Sequence, residues 1–510
     1  MLRKMLTCAL LTLGVFSLSA QASYLTDELV IEFEPNTVLV DKVATRTAFG
    51  VTNIDPIGPD METWRGLTFP RTVVINGVTL VFNSVEEIVG YIDNNNGGSE
   101  SNRANINHGD LQYIFTADPS PGTATSQTDP LPNCPTESSR IVGTPDLTSS
   151  NVTRIILFDQ LVTATRHFEN LQAGARIVQD NQGTHGNSTT SAAVHTMEAA
   201  GMDVLDYELV TYGVFFDDGT ATYSNILKAF QQLELDGEQD AIINMSASAE
   251  FVNVENGRLI LQSFVDPLLT QNNLLLVTSV GNDGLSTADV LPACADIANQ
   301  ISVAGSMNCF ATPWTGTNSN DRMFTIAAEA EEVLTYDGTN YYLSDGTSFA
   351  APLVTAVAAQ VHSQMTTFDA ALIKEQILFT ADVVEPFVSV VKDGLVINAT
   401  AATSTVSPLQ QGPGSQTTVP AIGNAATDME AIQIGPNPFS DYLQINGVSG
   451  VEQEFTLQLF NASGVLISQE RRNLLESNTW NLSSELPAGS YFVRLIGDQG
   501  LQQQFHLIKQ

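Results

Sequence analysis

The sequence predicts an α/β fold: a parallel sheet flanked by helices, preceded by a small α/β unit and followed by an all-β sandwich. Three observations predict it. Between residues 140 and 403, short apolar runs alternate with longer runs of helical character. Two stretches rich in Pro, Ser, Thr and Gly, 119–139 and 404–428, set that block apart as linkers. Residues 429–510 change to short alternating runs broken by Gly, Pro and Asn.

At the start of the 510-residue chain, Arg3 and Lys4 precede an apolar stretch and the small-residue series Ala20-Gln21-Ala22. This is the pattern of a secretory signal peptide over residues 1–22. The stretch is too short for a span, and no other segment reaches the ~18 uninterrupted apolar residues that crossing a bilayer requires, so no transmembrane segment is expected in the mature chain. Residues 24–118 follow, where "ELVIEFEP", "VEEIVGYIDNN" and "DLQYIFTAD" predict strands around a helix. In the central block, "VTRIILFDQL", "DAIINMSAS", "NLLLVTSVGNDG" and "QISVAGSM" predict buried strands. "STTSAAVHTMEAAG" and "SFAAPLVTAVAAQVHSQ" predict helices between and after them. Such alternation favours parallel pairing, because each crossover carries a helix back over the sheet. At the end, "EFTLQLFN", "GVLISQER" and "GSYFVRLIG" predict the strands of a small antiparallel sandwich.

Charge excludes several partners. The chain has 20 basic and 56 acidic side chains, a formal net charge of -36. Nucleic-acid affinity depends on neutralising phosphates, so no nucleic-acid partner is expected, and an anionic membrane surface would repel the chain as well. Cysteine usage points the same way as the signal peptide. Cys8 leaves with the signal, and Cys294 and Cys309 are close enough in sequence to staple neighbouring segments in an oxidising compartment, with Cys134 left over. No C-x-x-C pair or His at ligand spacing supports zinc, and no metal ligand is expected.

"SDGTSFAAPLV" sets Ser348 at the head of a run of small apolar residues. A hydroxyl there is an ordinary helix cap unless a base and an orienting group stand beside it. Of six histidines, His506 lies in the terminal sandwich, His167 and His362 adjoin polar, surface-like runs, and His195 falls inside an alanine-rich helix as a core residue. His108 and His185 remain, and His185, where the Gly-rich turn "DNQGTHGNS" opens onto a helix, is the better base. Asp159 in "RIILFDQL" is the acidic residue at a buried strand end ahead of it, suited to orient an imidazole. Asn282 in "SVGNDG" follows an apolar strand and stands beside a glycine, as an oxyanion donor would. Using His108 instead would give the order His, Asp, Ser of a chymotrypsin-like barrel, but no Gly-Asp-Ser-Gly-Gly surrounds a serine here.

With Asp159, His185 and Ser348 in that order, residues 140–403 resemble the subtilisin-like serine protease family. "DGTSFAAPLV" is similar to its serine motif, "VGNDG" to its oxyanion-asparagine motif, and "HGNS" keeps the His-Gly of its histidine motif. The aspartate block departs most: Gln160 and Leu161 follow Asp159 where the family has x-Gly. The resemblance implies a secreted endopeptidase with catalytic Asp159, His185, Ser348 and Asn282. It also implies a substrate cleft lined by Asn244, Met245, Ser246 and Ala247 of "IINMSAS" and by Ser279, Val280 and Gly281. Substrates would be polypeptides. No cofactor is required for such chemistry; structural calcium is common in the family, but no Asp-rich loop here assigns its ligands. The alternative, resting on the altered Asp and His motifs, is a catalytically inactive homologue acting as a secreted binding protein.

The flanks fit the same expectation. Residues 24–118 resemble an N-terminal pro-domain. "GPNPFSDYLQI" and "ELPAGSYFVRL" resemble the sorting domain of type IX secretion, which implies that its machinery is a partner and that the chain ends up secreted or on the outer cell surface.

Overall fold

A computed structural model describes residues 24–404 and 433–509, apart from short stretches of which the longest is 96–105. The signal peptide (1–22) and the stretch 404–428, save Ser404, lie outside the described residues, as do His167 and residues 117–122.

The N-terminal unit is an antiparallel sheet built from β1 (Tyr24–Phe33), β2 (Ile54–Pro56), β3 (Met61–Trp64) and β4 (Ile106–Thr116), in the order β4-β1-β3-β2. Helices α1 (Leu39–Ala48) and α2 (Val85–Asn95) accompany it. A short strand, β5 (Thr123–Ala124), follows.

The central sheet is the scaffold of the site. Its strands are β6 (Thr153–Asp159), β7 (Leu171–Arg176), β8 (Tyr207–Gly213), β10 (Ala241–Met245), β11 (Leu274–Ser279), β12 (Gln300–Met307), β13 (Ile326–Glu329) and β16 (Leu395–Val396). They run parallel in the order β16-β13-β12-β11-β10-β6-β8-β7. Strands β10, β11 and β13 are buried along their whole length and β6 and β12 at all but one residue, which is why they read as continuous apolar runs rather than alternating ones. Between β8 and β10, strand β9 (Thr220–Thr222) leaves this sheet and pairs antiparallel with β4 of the N-terminal unit. A hairpin of β14 (Val333–Tyr336) and β15 (Tyr341–Ser344) stands apart from the central sheet.

The helices of the block are α3 (His185–Ala199), α4 (Tyr223–Asp236), α5 (Val254–Gln271), α6 (Thr347–Ser363) and α7 (Ala370–Thr380). Every residue of α6 is buried. Its small side chains let it lie through the core, packed against α3 and the central strands, so it is apolar all round rather than amphipathic.

Residues 433–509 form two antiparallel sheets around their own core, in which Phe455, Leu457, Val493 and Trp480 are buried. Trp480 therefore packs the sandwich instead of offering an aromatic platform. Among the described residues no helix is long and apolar enough to cross a membrane.

The expected Cys294–Cys309 disulfide does not form. Cys309 pairs with Cys134, 175 residues away, at a Cα–Cα distance of 5.4 Å, and Cys294 is a free buried thiol. The reason is β12. It starts after Cys294 and ends before Cys309, so at ~3.3 Å per residue the two cysteines lie at opposite ends of a strand about 25 Å long. A disulfide needs Cα atoms within ~7 Å. Beyond the strand, Asn308, Cys309 and Phe310 all take left-handed backbone angles. Glu329 holds that turn by accepting from the Phe310 N–H at 2.7 Å and from Ser306 Oγ at 3.0 Å, and burial pushes its carboxyl up to about 7.

His362 corrects a second expectation. It is buried at the end of α6, with Nδ1 2.7 Å from Thr153 Oγ1 and its ring edge-on to Phe368. Burial lowers its pKa to about 4, against the pull of Asp240. An unfolded histidine titrates near 6.5, so between roughly pH 6.5 and 4 the unfolded chain takes up a proton that the fold refuses. Stability from this group is present above that window and is lost as pH falls through it, by up to about 3 kcal/mol. Urea unfolding of wild type and His362→Gln at pH 7 and pH 4.5 checks this: wild type should lose more stability on acidification than the variant, and equal losses would remove His362 as the cause.

Candidate active site

Four strand ends and helix starts meet where the parallel strands of the central sheet terminate, the usual crevice of such a sheet. Asp159 is the last residue of β6, and its backbone carbonyl accepts from the Val214 N–H just beyond β8. Its side chain is 1% exposed and collects donors. His185 Nδ1 lies 2.9 and 3.0 Å from the two carboxylate oxygens, Thr189 Oγ1 donates at 3.0 Å, and the Gln160 N–H donates at 2.7 Å. Two carboxylate contacts at Nδ1 place the proton there and leave Nε2 as the basic nitrogen. Nε2 is buried and has no hydrogen-bond partner among the described residues.

The departure at Gln160 has a structural account. The Thr184 side chain caps nothing at the start of α3, and Gln160 Oε1 takes the His185 N–H at 3.1 Å in its place. Gln160 Nε2 donates to the carbonyls of Phe216 and Asp217, so one amide ties the Asp strand, the His helix and the turn after β8 together. The cost falls on the neighbours: a Cβ at Gly186 would sit 2.1 Å from the Gln160 carbonyl oxygen, and one at Gly183 would sit 1.7 Å from its amide oxygen. The His-Gly pair is thus required by the backbone-to-backbone contact between the end of β6 and the start of α3.

Ser348 occupies the second position of α6 and is 3% exposed. Gly346, just before the helix, has φ +141° and ψ 152°, a region that side-chain-bearing residues avoid. Ser348 Oγ donates to the Ser246 carbonyl at 3.3 Å rather than to His185. The base and the nucleophile are nonetheless carried on packed helices, with the ring of Phe349, the residue after Ser348, 6.2 Å from the His185 ring.

Asn282 follows β11 after Gly281, whose φ is +92°. Its Oδ1 accepts from the Thr347 N–H at 2.9 Å and Thr347 Oγ1 at 2.8 Å, and Thr347 Oγ1 accepts from the Gly281 N–H at 3.2 Å. With the carbonyl side of the amide so occupied, Nδ2 is the end left to donate. The Ser348 N–H, in the first turn of α6, belongs to the donors that a helix leaves without an internal acceptor.

The cleft residues divide into two kinds. Ser246 and Gly281 flank the serine and the asparagine, Ser246 through its carbonyl, and Ala247 is the buried residue that follows Ser246. Asn244 instead fastens β10 to α6, donating to Ser246 Oγ at 3.0 Å and accepting from Thr355 at 3.0 Å. Met245, Ser279 and Val280 are buried in the strand ends, and Asn318 donates to the Val280 carbonyl at 2.9 Å. Thr189 and Thr347 were missed by sequence reasoning. The signal for Thr189 was its spacing, four residues after His185 on one helix face. Among the described residues, no three His, Cys, Asp or Glu side chains converge to hold a metal ion.

A parallel α/β sheet that gathers a buried Asp–His pair, a helix-borne serine and an amide donor defines the class of serine peptidases of the Asp, His, Ser chain order. Residues 133–414, more than half of the chain, match the family model described as the subtilase family, and the chain belongs to that family. Residues 433–510 match the secretion system C-terminal sorting domain. No curated protein sequence matches as a relative. Among solved structures, the chain is similar to a cold adapted subtilisin-like serine proteinase at 15% identity and a TM-score of 0.40, covering 51% of this chain and 96% of that one. It is also similar to the A-subunit of the AB5 toxin from E. coli, at 20% identity and a TM-score of 0.42, covering 55% and 98%.

Proposed function

We propose that this secreted subtilisin-like protease is an endopeptidase whose chemistry runs through Asp159, His185, Ser348 and Asn282. The observation that carries the reading is the buried Asp159–His185 pair, which holds the proton on Nδ1 and leaves Nε2 unpartnered beside the helix of Ser348. A rotation of the Ser348 side chain away from the Ser246 carbonyl brings its hydroxyl into play. Ser348 Oγ then attacks the scissile carbonyl while His185 Nε2 takes its proton, and Asp159 holds the imidazolium. Asn282 Nδ2 and the Ser348 N–H stabilise the oxyanion. His185 returns the proton to the leaving amine, and water repeats the sequence in reverse on the acyl-enzyme. The sorting tail directs the chain to the type IX machinery.

The N-terminal unit acts as a pro-domain in this reading. Its last strand, β4, packs on α4 and α5, pairs with β9, and its final residue, Thr116, donates its N–H to the Ser248 carbonyl at 3.3 Å. Ser248 lies two residues past Ser246, in the segment that follows β10 and whose Ser246 carbonyl accepts from Ser348. From Thr123 onward the chain pairs with the hairpin next to α6 instead. The processing cut is therefore expected between Thr116 and Thr123, and the sorting tail is expected to be dispensable for catalysis. Fluorophosphonate labelling and intact-mass analysis of the secreted protein test both parts: the label should sit on Ser348, and the mature chain should begin between those residues. In Ser348→Ala the N-terminal unit should be retained if the cut is autocatalytic. An unlabelled wild type would overturn the endopeptidase reading, and an unprocessed but fully active one would overturn the pro-domain reading.

A further inference from the structure

The stretch 119–139, expected as a linker from its composition, supplies strand β5 to the β14–β15 hairpin. Leu343 pairs with Thr123 and Tyr342 with Ala124, and the Thr125 N–H donates to the Tyr341 carbonyl at 2.9 Å. Further along, the Pro130 carbonyl accepts from the Leu334 N–H at 3.2 Å, Leu131 is buried, and Cys134 is joined to Cys309. The stretch is an arm fastened at both ends.

What the arm fastens is the link between the two catalytic helices. At the tip of the hairpin, the Tyr336 N–H donates to Ser191 Oγ at 2.6 Å and Asn187 Nδ2 donates to the Asp337 carbonyl at 3.1 Å. Both acceptor and donor are on α3, the helix that begins with His185. At its other end the hairpin runs from Ser344 straight into Gly346 and Ser348, with the Gly346 N–H bound to the Ala330 carbonyl at 2.7 Å. The hairpin thus spans from the base to the nucleophile. A two-stranded ribbon alone is a soft spacer, and a third strand stiffens it.

We propose that the arm from Thr123 to Cys134 is a positioning element that sets the reach from His185 Nε2 to Ser348 Oγ, with its strand pairing to β15, which the Thr125 N–H closes, and the Pro130 carbonyl as its contacts to the hairpin, and Cys134–Cys309 as its latch. The inference rests on the endopeptidase reading of the same site. A displacement of ~1 Å between reacting groups costs up to about a hundredfold in rate, while ground-state binding of substrate along the cleft is little affected.

The test uses the secreted full-length chain with three changes: Thr125→Pro, which removes the N–H donor; Thr125→Ala, which keeps it; and Cys134→Ser combined with Cys309→Ser. Read out are the rate of fluorophosphonate labelling at Ser348, kcat and KM on a peptide substrate, and the melting temperature. Thr125→Pro and the double serine variant should lower the labelling rate and kcat by about tenfold to a hundredfold with KM within about twofold, and Thr125→Ala should match wild type. If the double variant is not exported, Thr125→Pro decides alone. A labelling rate and kcat for Thr125→Pro within about twofold of wild type overturn the arm while the protease reading stands. Wild-type protein that Ser348→Ala does not distinguish in labelling overturns both.

Discussion

Ser348→Ala and His185→Ala are each expected to lower kcat by roughly five to six orders of magnitude while leaving the fold intact, a magnitude known from subtilisin itself. Oγ has no base without His185, and His185 has no acceptor role without a hydroxyl to deprotonate, so the two losses should be nearly equal and should not add in the double variant. Asp159→Ala belongs to the same unit but should cost less, because Gln160 Oε1 still fixes the start of α3 through the His185 N–H. Peptide hydrolysis with active-site titration checks all three. If Asp159→Ala keeps activity within about tenfold of wild type, the orienting role lies elsewhere.

Asn282→Leu should lower kcat by about two to three orders of magnitude with KM little changed, again the size known for a subtilisin oxyanion asparagine. Oδ1 is engaged by two donors from Thr347, so the amide cannot turn to present its oxygen; in the proposed mechanism Nδ2 then meets a negative charge that develops only in the transition state. Asn282→Asp should be as damaging, because it replaces that donor with a second acceptor. A rise in KM matching the fall in kcat would make Asn282 a substrate-binding residue instead. Thr347→Val, which removes one of the two donors to Oδ1, should give a smaller loss of the same kind.

Much of this was legible in the sequence. The parallel sheet was readable because strands buried on both faces need continuous apolar runs, and the runs ending in Asp159, Met245 and Ser279 have that form. The places of Ser348 at a helix start and of Asn282 in a turn after a strand were readable because a helix start of small residues and a Gly-Asn turn are local features. The cysteines were not. Pairing by proximity in sequence overlooked the strand between Cys294 and Cys309, whose extended length alone keeps them apart. His362 was misjudged from its polar neighbours because burial of a helix end depends on what packs over it, here Phe368 and β6.

By itself the sequence determined the periodicities that set the layers of the fold, the residue types at the strand ends, and the acidic net charge. Those follow from local propensity and from apolar side chains that must be buried somewhere. Tertiary structure decided which distant groups meet. It joined Cys134 to Cys309, brought Gln160 to the start of α3, bound Thr189 to Asp159, and turned a Pro- and Ser-rich stretch into a strand beside the hairpin that links His185 to Ser348. Such contacts form only after the sheet has brought its strand ends together, because chain segments far apart in sequence have no local preference for one another.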